Sequence, residues 1–196
     1  MLHIWSGVYA GLNAGGAFGT FSANATFGPF STDLGSVNGS GFIGGGQLGA
    51  QIQYSQVVLG VEGDFQGASQ SHSSTFSALG VPVTLSESMP WLATFRGRVG
   101  WAVENFLFYG TGGMAEVDGR VSGSALGLTV SVEKSHLGWT AGGGVEWAFA
   151  PHWSAKAEYL YVDSTNIPIT TIGGLTVNGR IQDNIVRAGV NYYPFN

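Results

Sequence analysis

The four histidines are the first residues whose chemistry needs weighing. His72 stands in a serine-rich run, Ser71-His72-Ser73-Ser74, and His136 follows Ser135. A serine nucleophile requires a base within hydrogen-bond reach and a third group to orient that base. No spacing here specifies such a trio, because serine recurs in every polar stretch. A metal would need several ligands brought together, and His3, His72, His136 and His152 are far apart in sequence and expected at different ends of the molecule. The chain has no cysteine, so thiolate chemistry, disulfides and Cys-ligated zinc are excluded. The tripeptides at Asn24 and Asn38 match the glycosylation pattern at the level of chance for a Gly/Ser/Asn-rich chain, and the glycines contain no strand-to-helix phosphate loop. The expectation is a protein that is not an enzyme and carries no metal and no cofactor.

Ionic chemistry is better ordered. Glu62 and Asp64, Arg96 and Arg98, and Lys156 and Glu158 are each spaced by two, and Glu146 and Arg187 lie in segments that alternate in the same way. A spacing of two puts both members of a pair on one face of a β-strand. The eight charges cancel, which leaves the whole net charge of −5 to turns, strand ends and loops. Gathered in a narrow interior they must pair, since an isolated buried charge is far more costly than a compensated one. The expectation is a ladder of ion pairs with Asn13, Gln47, Gln51, Gln53 and Asn191 as neutral members. Such a ladder fills a lumen; the competing reading of the same charges is a selectivity filter or a proton path.

The elements that could hold them follow from composition and periodicity. Charged residues make up 10% of 196, against the roughly 25% usual in soluble domains. Apolar residues reach 44%, yet no run approaches the ~18 residues of a membrane helix. Aromatic residues at 13% argue against disorder. What remains is apolar surface laid out with period two. Eight segments show it, and together they predict a single domain over residues 1–196.

In strand order the expected outward sets begin with Val8, Ala10, Leu12 and Ala14, then Leu48, Ala50, Ile52 and Tyr54. They continue with Val57, Leu59, Val61 and Phe65, and with Ala93, Phe95, Val99 and Trp101. The fifth segment is apolar on both faces; if Glu116 points inward, Leu107, Tyr109, Ala115 and Val117 point out. The last three sets are Leu137, Trp139, Ala141, Val145, Trp147 and Phe149; Ala155, Ala157, Tyr159 and Tyr161; and Val186, Ala188, Val190 and Tyr192. In seven strands of the eight, the fifth excepted, the charged residues fall on the opposite face. A soluble ligand-binding barrel would have the reverse polarity.

Short breaks at Ser55-Gln56, Val103-Glu104-Asn105 and Ala150-Pro151-His152 alternate with long Ser/Gly/Thr/Asn-rich connections. Tight turns at one end and long loops at the other are the layout of an outer-membrane barrel. The reading is therefore an all-β, eight-stranded, antiparallel, up-and-down transmembrane β-barrel with short periplasmic turns and long extracellular loops. Tyr54, Trp101, Trp147, Phe149, Trp153 and Tyr192 are expected as the periplasmic aromatic girdle, joined by Trp5, Tyr193 and Phe195. Trp91 and Trp139, with Tyr159 or Tyr161, are expected at the outer one. The opening MLHIWSG has neither a basic stretch nor an apolar core of a signal peptide, so residue 1 is read as the start of a mature form.

The segments WSGVYAGLNAGG, GVEGDFQ, FRGRVGWA, LFYGTGGMA, GWTAGGGVEWAFAPHWSAKAEYLYVD and VRAGVNYYPF together resemble the small outer-membrane β-barrel family of α-proteobacteria, the outer-membrane immunogenic or porin-family proteins. The resemblance implies an OmpA-like barrel in a Gram-negative outer membrane, with envelope-structural and surface-antigen roles and no catalytic site. Expected partners are outer-membrane lipid and lipopolysaccharide, the barrel-assembly machinery, and host surfaces or antibodies at the loops. No nucleic acid is expected, since there is no basic patch, and the barrel is expected to be a monomer. Pro194 and Asn196 depart from the aromatic ending that the family presents to the assembly machinery. The alternative function is a small-solute pore.

Overall fold

Strands whose two faces differ in polarity still need their edges paired, because each unpaired backbone N–H and C=O held away from water is costly. The chain solves this by closure. The structure is a computed structural model and describes residues 5–27, 30–78, 81–125, 128–172 and 175–194. Eight strands follow one another: β1 Gly7–Phe27, β2 Phe30–Tyr54, β3 Val57–Ala78, β4 Val81–Val103, β5 Phe106–Ala125, β6 Leu128–Ala150, β7 Trp153–Ile172 and β8 Leu175–Tyr192. Each pairs antiparallel with its sequence neighbours, and β8 closes on β1 from Ala10↔Tyr192 to Phe27↔Leu175.

The stagger fixes the dimensions. Paired residues lead from Gly7 through Gln51, Gly60, Arg98, Thr111, Gly142, Leu160 and Ile185 back to β1 at Ala17, ten residues beyond the start. A stagger of that size over eight strands tilts them by roughly 40° and gives a backbone radius of about 8 Å. The interior is then just wide enough for side chains.

Ser55-Gln56, Glu104-Asn105 and Pro151-His152 form the tight turns. Ser55 and Glu104 both take left-handed backbone angles, with φ of 57° and 54°, which suits the right-handed twist of the strands they join. At the other end the structure corrects the expectation of long loops. Those residues continue the strands far beyond the outer aromatic ring. Their Ser, Thr and Val content suits a ladder wetted on its outer side, so polarity alone does not distinguish them from loop.

The continuation is not a complete cylinder. Pairing of β2 with β3 stops at Ile43↔Ala68, and pairing of β6 with β7 stops at Trp139↔Asp163. The remaining ladders run on, as far as Thr84↔Ser124 between β4 and β5. Among the described residues the crown therefore divides into two four-stranded leaves, β7-β8-β1-β2 and β3-β4-β5-β6.

Outward positions form an apolar band. Leu12, Phe42, Leu48 and Tyr54 are among the most exposed large apolar side chains of the described residues. Along β6 ten residues separate Phe149 from Trp139, about 25 Å along the barrel axis at this tilt, the height of a lipid-facing band. Tyr54, Trp101, Trp147, Phe149, Trp153 and Tyr192 all lie exposed on the outer wall near the tight turns. Trp153 lies 5.0 Å from Tyr192, and Phe106 stacks on Trp147 at 6.3 Å. At the other rim Trp91 stacks on Phe65 and Trp139 leans on Tyr161.

Two orientations differ from the sequence reading. Trp5 and Tyr193 are buried inside the barrel mouth, edge to face at 6.5 Å, and do not join the girdle; Phe195 lies outside the described residues. On β5, Leu107, Tyr109, Ala115 and Val117 point inward, while Phe106, Phe108 and Met114 point out. Glu116 lies on the outward register between them, paired with Ala93 and Leu137 at the outer rim, where a carboxylate meets water rather than lipid. The deciding factor is volume. A Cβ on Gly100 would strike Leu107 and Tyr109, and one on Gly144 would strike the Tyr109 ring. The glycines of β4 and β6 thus leave the holes that these β5 side chains fill.

Candidate functional site

Inward positions make three layers. Near the tight turns an apolar floor gathers Trp5, Tyr9, Val58, Ala102, Leu107, Tyr109 and Tyr193. Farther up, a second apolar layer gathers Ala17, Ile43, Leu92, Ala115, Val117, Leu160, Val162 and Ile185. Between them lie the charges.

Register brings opposite charges together before any contact across the lumen. Glu62 on β3 stands opposite Arg96 on β4, Glu146 on β6 opposite Lys156 on β7, and Glu158 on β7 opposite Arg187 on β8. Contacts across the barrel then join these pairs into one network. Arg96 bonds Glu62 at 2.5 Å, Asp64 at 2.6 Å and Glu158 at 3.1 Å. Lys156 reaches Glu62 at 3.0 Å, and Arg187 holds Glu158 at 2.5 Å and Asp64 at 3.1 Å. Arg98 bonds Glu146 at 2.7 Å, and its guanidinium lies 3.9 Å from the centre of the Tyr109 ring. All eight side chains are buried.

The neutral members extend the network toward the mouth. Asn13 donates to Gln47 at 2.8 Å, Gln47 to Asn191, and Asn191 to Glu146 at 2.8 Å. Gln51 donates to the Tyr193 hydroxyl at 3.1 Å. Gln53 accepts from the Trp5 backbone N–H and donates to the Ser55 carbonyl. It belongs to the mouth rather than to the charged layer.

Several members were missed in the sequence. Three tyrosines cap three glutamates: Tyr9 donates to Glu62 at 2.7 Å, Tyr109 to Glu158 at 3.0 Å, and Tyr193 to Glu146 at 2.9 Å. Thr94 and Gln66 both donate to Asp64, and Ser154 donates to Glu146. Extending the period-two register of the charged residues reaches Gln66, Thr94, Ser154 and Tyr193; Tyr9 shares the face of Asn13 on a strand without charges, and Tyr109 falls on the face opposite to that of Glu116. The same extension along β7 passes from Lys156 and Glu158 to Leu160 and Val162, where the upper apolar layer begins. Asp183, also buried and inward on β8, lies above that layer against Gly19. Asp183 is therefore a buried acid beyond the four (Glu62, Asp64, Glu146 and Glu158) expected from sequence. Asp163 joins it, held from outside by Arg180 at 2.5 Å.

The arrangement sets paired charges between two apolar layers. Each carboxylate of the layer is engaged by cations and neutral donors, and apolar side chains lie above and below. Of the Ser/His candidates, the side chains of His72 and His136, and the whole of His3, lie outside the described residues. His152, on an exposed turn, contacts the Tyr193 carbonyl at 2.9 Å. No group of three His, Cys, Asp or Glu suited to a metal occurs among the described residues.

Comparison with known proteins agrees with the architecture. Residues 3–193 match the family described as the outer membrane protein beta-barrel domain. The chain is 36% identical to the 31 kDa outer-membrane immunogenic protein of Brucella melitensis, over 96% of this chain and 83% of that protein. It is 31% identical to the 22 kDa outer membrane protein of Rhizobium leguminosarum bv. viciae, over 94% of this chain and 78% of that one. The solved outer membrane protease OmpT from Escherichia coli superimposes with a TM-score of 0.57 at 9% identity, covering 98% of each chain, a likeness of fold alone.

Proposed function

We propose for this chain, which belongs to the outer membrane protein β-barrel family and lies in a bacterial outer membrane, the role of a sealed envelope barrel. It acts as a structural component and surface antigen, whose crown meets the environment and whose lumen carries no solute and no catalytic step. The observation that supports this reading is the layering of the lumen. A pore needs a continuous wet path, and here the charged layer is closed on one side by Trp5, Tyr9 and Tyr193 and on the other by Leu92, Leu160 and Ile185. The ion pairs inside it compensate one another and so hold strands together in place of attracting a permeant ion. The immunogenic relatives support the surface-antigen part of the reading.

Lipid, including lipopolysaccharide, contacts the outer wall, the assembly machinery receives the chain during insertion, and the closed wall needs no second copy. Proteoliposomes containing the refolded barrel test the sealed lumen. Swelling in isotonic solutions of small sugars and amino acids is expected to match protein-free liposomes. Solute entry that scales with the amount of barrel would favour the pore.

A further inference from the structure

Division of the crown into two leaves leaves four strand edges facing two gaps. An unpaired edge is a template for another strand, and proteins blunt such edges with proline, charge, glycine or bulges. Three of the four edges carry these devices. β7 has Pro168 and ladder breaks between Ser164 and Ile167 and between Pro168 and Thr170. β6 has Glu133 beside Lys134. β2 has Asp33, the glycines at 35, 39 and 41, and a register shift opposite Ala23 and Asn24. The fourth edge has only a register shift at its base, between Gly67 and Gln70, and none of these devices above it. From Gln70 to Ala78, β3 reads QSHSSTFSA, without proline, glycine or any Asp, Glu, Lys or Arg. Its ladder with β4 is continuous from Gln70↔Met89 to Ala78↔Val81. Its other side, above Ala68, pairs with no strand among the described residues.

We propose that the β3 edge, Gln70–Ala78, binds an extended cationic segment of another polypeptide as an added strand. Nine residues present about 30 Å of regular backbone donors and acceptors, enough for recognition by strand addition. The sign of the partner's charge follows from the crown and its rim, whose strands carry Asp33, Glu87, Asp118, Glu133 and Asp163 against Arg120, Lys134 and Arg180. A second copy in the same membrane does not fit. Strands tilted by roughly 40° with the same hand on two upright barrels face each other crossed at about 80°, far from the near-parallel alignment of a ladder. This inference rests on the surface-contact reading above and names its partner class. A conducting lumen would overturn the sealed barrel without touching it.

The test uses the full chain folded in lipid nanodiscs. The probe is a synthetic ten-residue peptide of alternating lysine and threonine, beside the same peptide N-methylated at every second residue and so unable to complete a ladder. Binding is read by titration and by backbone amide exchange. The unmethylated peptide is expected to slow exchange within Gln70–Ala78, leaving the β2, β6 and β7 edges unchanged, and to bind about tenfold or more tightly than the methylated one. Added salt should weaken both. Equal binding of the two peptides, protection confined to another edge, or no binding at all would overturn the proposal.

Discussion

Glu62 receives Arg96, Arg98, Lys156 and Tyr9 and is wholly buried. Replacing it leaves several cations facing one another with their anion gone. Glu62→Gln is expected to destabilise the barrel by about 3–5 kcal/mol, the usual penalty for breaking a buried pair from one side. Combining Glu62→Met with Lys156→Met should cost less than the sum of the two single changes, measured by urea unfolding in detergent or lipid. Glycines divide by face in the same manner. A Cβ on Gly142 would lie 2.0 Å from the Tyr159 carbonyl oxygen, a backbone atom that cannot yield, whereas one on the outward Gly97 meets nothing closer than 3.9 Å. Gly142→Ala should cost about 1–3 kcal/mol and Gly97→Ala less than about 0.5 kcal/mol in the same unfolding measurement.

At the scale of the strand, seven orientations were legible because at least one Gln, Glu, Lys, Arg or Asn marked one face of an alternating segment. β5 was not. FLFYGTGGMAEV is apolar on both faces, and its only charged residue, Glu116, suggests the wrong one. The information lay on the neighbours instead, in the inward glycines at 100 and 144 that leave room for Leu107 and Tyr109. The crown strands were illegible for a different reason, since a ladder in water shows neither apolar alternation nor a charge-free face. The turns carry their own prediction. Glu104 pays for a left-handed backbone with a side chain that glycine lacks, so Glu104→Gly is expected to stabilise the β4–β5 hairpin by up to about 1 kcal/mol. A lowered unfolding midpoint would count against the turn geometry described.

For the whole molecule, the sequence carried the class of fold and the eight strands, because charge, aromatic position and turn spacing are all local signals. It did not carry the two apolar layers that enclose the charges. Those arise from residues far apart in sequence, such as Ile43, Leu92, Leu160 and Ile185, which closure of the barrel brings together. They are what supports the proposal of a sealed lumen over a merely polar one. Single-channel recording across a planar bilayer tests this most directly. The refolded barrel is predicted to give no steady conductance above the lipid baseline in molar salt. Discrete, long-lived openings of uniform size from the wild-type chain would contradict the sealed barrel.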